Sequence, residues 1–151
     1  MILELHHYKQ EKGSFACGPT SLKIVFEFYG KKCSSADLIK ECNTLPGKGT
    51  PHSKLKEITR KKGFKIISGN GSINKIIYYI NRGFPVIVNY INPKSKRGHY
   101  SVIKGYTKDF KKFIFSDPSN GSNFKMNIDD FEKAWHNSKN TSKHWFLVVK
   151  P

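Results

Sequence analysis

Long apolar runs are missing from this chain. No window approaches the roughly 18 apolar residues that a membrane-spanning helix requires. The opening residues, Met1 to His7, lack a basic region followed by an apolar stretch, so no secretory signal is expected and the expected location is the cytoplasm. Cysteine is scarce and odd in number: Cys17, Cys33 and Cys42. An odd set without a signal argues against a disulfide framework. Neither the spacing of Cys33 and Cys42 nor the absence of a further cysteine pair suits a zinc knuckle, so these two are expected to be small core residues. Acidic residues are also few, 11 against 27 lysines and arginines, which leaves a net charge of +16. Among the cations arginine is the rare one, present only as Arg60, Arg82 and Arg97. Arginine makes the bidentate contacts to phosphate and guanine, and the lysines are scattered, so the charge argues weakly for nucleic acid. It admits an acidic peptide or protein partner.

What is present suits one domain over residues 1–151, long enough to bury a core without disulfides. Leu22, Val25, Phe26 and Tyr29 fall at helical spacing after Pro19, with Gly30 as the stop. Ser34 and Ser35 offer the cap of a short helix carrying Leu38, Ile39 and Cys42. Residues 45–49 read as a loop, and Thr50 with Pro51 as the start of a third helix that ends at Gly63. A fourth runs from Ser72 to Gly83 with Ile73, Ile76, Ile77 and Ile80 inward. The second half turns to strands: Pro85–Ile91, His99–Tyr106, Lys112–Asp117 and His144–Lys150, with a last short helix capped by Asn127. Helices first and antiparallel strands second is an α+β order, which predicts a helical N-terminal lobe, a sheet lobe and a cleft between them.

A thiol attacks as its thiolate, and a helix N-terminus favours an anion. Cys17-Gly18-Pro19-Thr20 sits where the first helix begins, with Gly18 permitting close backbone approach and Pro19 tolerated in the first turn. His99 opens a strand straight after the turn that ends at Gly98, and Asp117 ends the next strand. Antiparallel pairing of those strands puts His99 beside Asp117, where a carboxylate can fix the imidazole tautomer and stabilise imidazolium. Singly each residue has an ordinary reading: a buried cysteine, a strand-edge histidine, an Asp-Pro turn. Jointly they read as a nucleophile, its base and the base's orienter. Gln10 lies in a loop from which its amide can join the Cys17 N–H in stabilising an oxyanion. No cofactor or metal is called for; adjacent His6 and His7 on an extended segment point to opposite faces.

Taken in order, Lys9-Gln10, Cys17-Gly-Pro-Thr-Ser-Leu22, Phe28-Tyr-Gly30, Gly49-Thr50, Lys62-Gly-Phe64, Gly83-Phe-Pro-Val-Ile-Val88, Gly98-His-Tyr-Ser-Val-Ile103, Ser116-Asp-Pro118, Gly121 and Phe131-Glu-Lys-Ala-Trp135 span essentially the whole chain. The ordered set resembles family thirty-nine of the cysteine peptidases, the papain-like domains found at the N-terminus of bacteriocin exporters. The resemblance implies a papain-like fold and a thiol peptidase, with Cys17, His99 and Asp117 as the triad and Gln10 in the oxyanion hole. It also implies leader-peptide cleavage after a Gly-Gly pair in the exporter-attached members. The gap from Gln10 to Cys17 is one residue longer than usual in the family, and this chain reads as a stand-alone member. Three rivals are a catalytically silent peptide-binding module of the same fold, a transferase that passes the acyl group to an amine, and a basic nucleic-acid binder. The first keeps the triad without cleavage, and the last predicts affinity falling steeply with salt.

Overall fold

The computed structural model describes residues 1–44, 47 and 49–151. In chain order the elements are α1 (Cys17–Phe28), α2 (Ser35–Glu41), α3 (His52–Lys61), β1 (Lys65–Asn70), α4 (Ile73–Asn81), β2 (Val86–Ile91), β3 (Gly98–Tyr106), β4 (Lys112–Asp117), β5 (Gly121–Asn127), α5 (Ile128–Ala134) and β6 (Trp145–Lys150). The strands form one antiparallel sheet in the order β1-β6-β2-β3-β4-β5. No helix among the described residues is long and apolar enough to cross a membrane. Most of the loop expected over 45–49 lies outside the described residues.

Local chemistry sets the helix ends. Ser34, Ser72 and Asn127 each accept a backbone N–H from the first turn of α2, α4 and α5. Helices α1, α3 and α4 stop in the same way. Gly30, Gly63 and Gly83 take positive φ, and the next residue's N–H reaches back five positions, as in Lys31 N to Phe26 O at 2.9 Å. The expected cap of α3 is corrected by one residue, to Pro51, with no side-chain bond. Thr50 is occupied elsewhere: its hydroxyl lies 2.8 Å from that of Thr44, and its carbonyl accepts the Tyr100 hydroxyl at 2.7 Å.

Because side chains alternate across a strand, the sheet buries both faces. Trp145, Leu147 and Val149 of β6 join Ile87, Tyr100 and Val102 beneath α1, α2 and α3. Phe146 and Val148 join Val86, Val88, Tyr90, Phe113 and Phe115 beneath α4 and α5. Cys42 is fully buried in the first cluster and Cys33 packs against its edge; both thiols are free. The helices thus divide between two faces, with α1 lying across β3 so that its N-terminus meets the start of that strand.

Strands β1 and β5, at the two edges of the sheet, are the elements not expected from sequence. At the same end as the start of β3, the segment after α5 folds back. Gly98 N–H donates to Ser138 Oγ at 2.8 Å, and a Cβ on Gly98 would stand 2.5 Å from that oxygen and 3.0 Å from the Ser138 nitrogen. We expect Gly98→Ala to lower stability by about 1–3 kcal/mol, the usual range for overpacking. A urea midpoint shift at constant slope measures it.

Candidate active site

Helix α1 begins at Cys17 without a side-chain cap, because Ala16 stands in the capping position and has no acceptor to offer. Pro19 lacks an N–H where none is needed, so the first-turn amides of Cys17 and Gly18 are left without competition from a capping side chain. Gly18 is packed tightly: a Cβ there would meet Thr50 Oγ1 at 3.2 Å and Leu55 Cδ2 at 3.3 Å. The glycine therefore seats the start of α1 against α3, which holds the thiol in place. Cys17 Sγ is partly accessible and accepts the Tyr100 N–H at 3.5 Å.

Next to Tyr100, the buried His99 places Nε2 at 2.8 Å from Asp117 Oδ1. Its ring also lies near enough to the Cys17 thiol for the two to interact. With Nε2 engaged by the carboxylate, Nδ1 is the ring nitrogen left without a protein hydrogen bond among the described residues. Burial on its own lowers the pKa of His99. The Asp117 hydrogen bond and the Cys17 contact outweigh burial and raise the pKa to about 10. Asp117 shows the reverse balance. Burial raises its pKa, yet the bonds from His99, Tyr90 and the Asn120 N–H hold it down at about 2. The pair is thereby held as imidazolium and carboxylate.

Asp117 carries two jobs at once. Its Oδ1 accepts the Ser119 and Asn120 N–H groups, both at 2.9 Å, which closes the turn after β4, and also receives His99. Its Oδ2 accepts the Tyr90 hydroxyl at 2.7 Å. The turn-former reading of Asp117 and its place beside His99 are not rivals.

The structure thus brings Cys17, His99 and Asp117 into one connected set. Gln10 stands at the rim. Its N–H donates to Pro118 O at 3.0 Å, its Oε1 accepts the Ser119 hydroxyl at 3.0 Å, and its Nε2 donates to Ser14 O at 3.0 Å. No hydrogen bond joins Gln10 to Cys17 among the described residues.

Tyr90 was missed from sequence. Burial, followed by the neighbouring carboxylate, pushes its hydroxyl well above the ordinary value, so it stays a donor to Asp117. Counting back from the hairpin finds it, because pairing Ile91 with Gly98 sets Tyr90 directly across from His99. Asn120, whose side-chain amide donates to Tyr90 Oη at 3.4 Å, had only its place after Asp117-Pro118-Ser119 as a signal.

The remaining histidines make stacking or hydrogen-bond contacts. His52 stacks on Trp145 at 4.0 Å, and burial followed by Lys56 lowers its pKa to about 4. His7 Nδ1 lies 2.8 Å from Ser116 Oγ, and His6 packs against Tyr8. Among the described residues no cluster of side chains could hold a metal ion.

The fold has clear relatives. The peptidase domain of Streptococcus ComA, described as a bi-functional ABC transporter in a quorum-sensing pathway, superposes with a TM-score of 0.77 at 25% identity, covering 96% of this chain and 97% of that one. A double glycine motif protease from an AMS/PCAT transporter, solved in complex with the leader peptide, also gives a TM-score of 0.77, at 19% identity over 99% and 94% of the two chains. The N-terminal peptidase C39 like domain of a Vibrio parahaemolyticus toxin secretion ATP-binding protein follows at 0.61 and 15% identity, over 93% and 98%. No curated protein sequence matches. The model of the Peptidase_C39 like family matches residues 2–143, and with the shared mixed helix and six-stranded antiparallel architecture this chain belongs to that family, of the papain-like peptidase fold.

Proposed function

We propose that this protein is a thiol peptidase that hydrolyses a peptide bond through Cys17, His99 and Asp117. The observation that carries the reading is the set itself: a thiol at an uncapped helix start, beside an imidazole that is held by a buried carboxylate. In the cycle, the Cys17 thiolate adds to the carbonyl carbon and the oxygen takes up the negative charge. The Cys17 N–H stabilises that charge, joined by the Gln10 amide once it turns from Ser14 O and Oγ toward the oxygen. His99 gives its proton to the leaving amine as the C–N bond breaks, leaving a thioester on Sγ. Water, deprotonated by His99, then releases the acid and restores the thiolate. Asp117 holds the imidazole in place throughout. The relative solved with its leader peptide supports a peptide substrate, and its double-glycine motif supports cleavage after small residues. The three unpaired thiols suit a reducing compartment, and we place the protein in the cytoplasm.

Limited alkylation tests the nucleophile. Burial raises the pKa of Cys33 and takes that of Cys42 to about 12, so neither competes at low pH. With iodoacetamide near pH 6, mass spectrometry should find Cys17 modified first, and peptide cleavage should disappear in proportion. Equal labelling of the three thiols without cleavage would leave only a peptide-binding module, and full activity after Cys17 is blocked would remove Cys17 as the nucleophile.

A further inference from the structure

Cations gather on the segments that meet at the triad's end of the sheet. Four segments meet at the end of the sheet that holds Cys17, His99 and Asp117. The loop leading into α1 is tied through Gln10 to Pro118 and Ser119, the β4–β5 turn. That turn reaches the β2–β3 hairpin, where Asn120 Nδ2 donates to Asn92 Oδ1 at 3.4 Å. The hairpin in turn is tied to the loop before β6 by the Gly98–Ser138 bond. These segments carry Lys9, Lys12, Lys94, Lys96, Arg97, Lys139 and Lys143, all exposed, against the single carboxylate Glu11. None of the seven is in an ion pair among the described residues, whereas Lys23, Lys54, Lys61 and Lys62 pair with glutamates on the helices. The imbalance of seven to one is steeper than the 27 to 11 of the whole chain.

Resting on the peptidase reading, we infer that the substrate of this site is an acidic peptide, whose Asp or Glu side chains flank the bond to be cut and are drawn in by this rim. Unpaired like charges clustered on one surface raise the local concentration of an opposite charge and steer its approach. The lysines favour a peptide over nucleic acid: they are mobile point charges suited to scattered carboxylates, and the rim has only one arginine to fork onto phosphate. At about 7 Å in water, each charge pair is worth roughly threefold in apparent affinity, fading as salt shortens the screening length to about 8 Å at physiological strength.

The test uses the full protein and two peptides of equal length around one Gly-Gly bond, differing only in Glu or Gln at the flanking positions. The Glu peptide should have the higher kcat/KM, by about tenfold at low salt, and the advantage should shrink as salt rises. Replacing the hairpin cations (Lys94→Gln, Lys96→Gln, Arg97→Gln) should remove most of that preference. Removing the same charge at the far end of β3 and β4 (Lys108→Gln, Lys111→Gln, Lys112→Gln) should leave it in place. Equal use of the two peptides, or an equal loss from both triple variants, would overturn the inference. Should neither peptide be cut, the peptidase reading fails, but anisotropy of the same labelled peptides still decides the rim. A preference for Glu there upholds it. Indifference overturns it, as does tighter binding of a single-stranded oligonucleotide of equal charge.

Discussion

Cys17→Ala should abolish peptide cleavage, by at least ~10⁴-fold, while leaving the fold in place. The loss is chemical, since an alanine methyl offers no lone pair to the carbonyl and no step in the cycle can begin without the thioester bond. The structural loss is small by contrast. Cys17 is only partly buried at the edge of the first core cluster, and its Sγ accepts the Tyr100 N–H at 3.5 Å, so a change of about 1 kcal/mol is expected. The start of α1 is held instead by Gly18 against Thr50 and Leu55, and by the buried run Leu22, Ile24, Val25 and Phe26. The measurement is single-turnover cleavage beside thermal unfolding of both proteins. Cleavage at the wild-type rate would remove Cys17 from the mechanism. A large fall in melting temperature would instead mark it as a packing residue. The variant also serves as a trap, because it keeps the cleft and the rim while leaving a bound peptide intact.

How far the sequence carries depends on whether an element's signal is local. Helices α1, α2 and α4 announce themselves through caps and stops that act within one turn, Ser34, Ser72, Gly30 and Gly83 among them. Strands β2, β3, β4 and β6 are apolar because both faces of the sheet are covered, and continuous apolar runs are easy to read. The edge strands are different. Lys65-Ile-Ile-Ser-Gly-Asn70 has little strand character of its own and is extended because it pairs along its length with β6. In Gly121–Asn127 only Gly121, Phe124 and Met126 are partly buried, and Ser122, Asn123, Lys125 and Asn127 are exposed. Their order comes from tertiary pairing, which propensity does not contain. Within the site, residue types and spacing singled out Cys17, His99 and Asp117, whereas Tyr90 reads as one more strand aromatic until the hairpin register is known. Thr50 shows the opposite failure. Its type suits a cap, but the Tyr100 hydroxyl and Thr44 claim its polar atoms first.

Two substitutions at Asp117 separate charge from scaffold. In Asp117→Asn the amide oxygen can stay where Oδ1 is, still accepting from His99 and from the Ser119 and Asn120 N–H groups. The new Nδ2 then takes the place of Oδ2 and faces Tyr90, whose hydroxyl can turn its proton away and accept. All four contacts survive and only the negative charge is lost. His99 should then titrate below about 10, and cleavage should slow by about 10⁴-fold without vanishing, since the nucleophile and the oxyanion donors remain. Asp117→Ala has no such accommodation. It strands His99, the Tyr90 hydroxyl and two backbone N–H groups in a buried site, so a loss of about 3–5 kcal/mol is expected, as for breaking one side of a buried pair. The pH dependence has a fixed sign. The Asp117 carboxyl is held near 2, below its ordinary 3.8, so its stabilisation is full above the ordinary value and is lost as pH falls through about 2. The stability gap between wild type and the Asn variant should therefore be present at neutral pH and close in strong acid. His99 works in the other direction: its raised pKa gives stabilisation that is full below 6.5 and lost as pH rises through about 10. In the Asn variant that alkaline loss should be smaller and complete at lower pH. Urea unfolding of the wild-type and Asn proteins across pH reads both edges, and a gap that stays constant across the whole range would show that the Asp117 carboxylate is not the partner holding His99 charged.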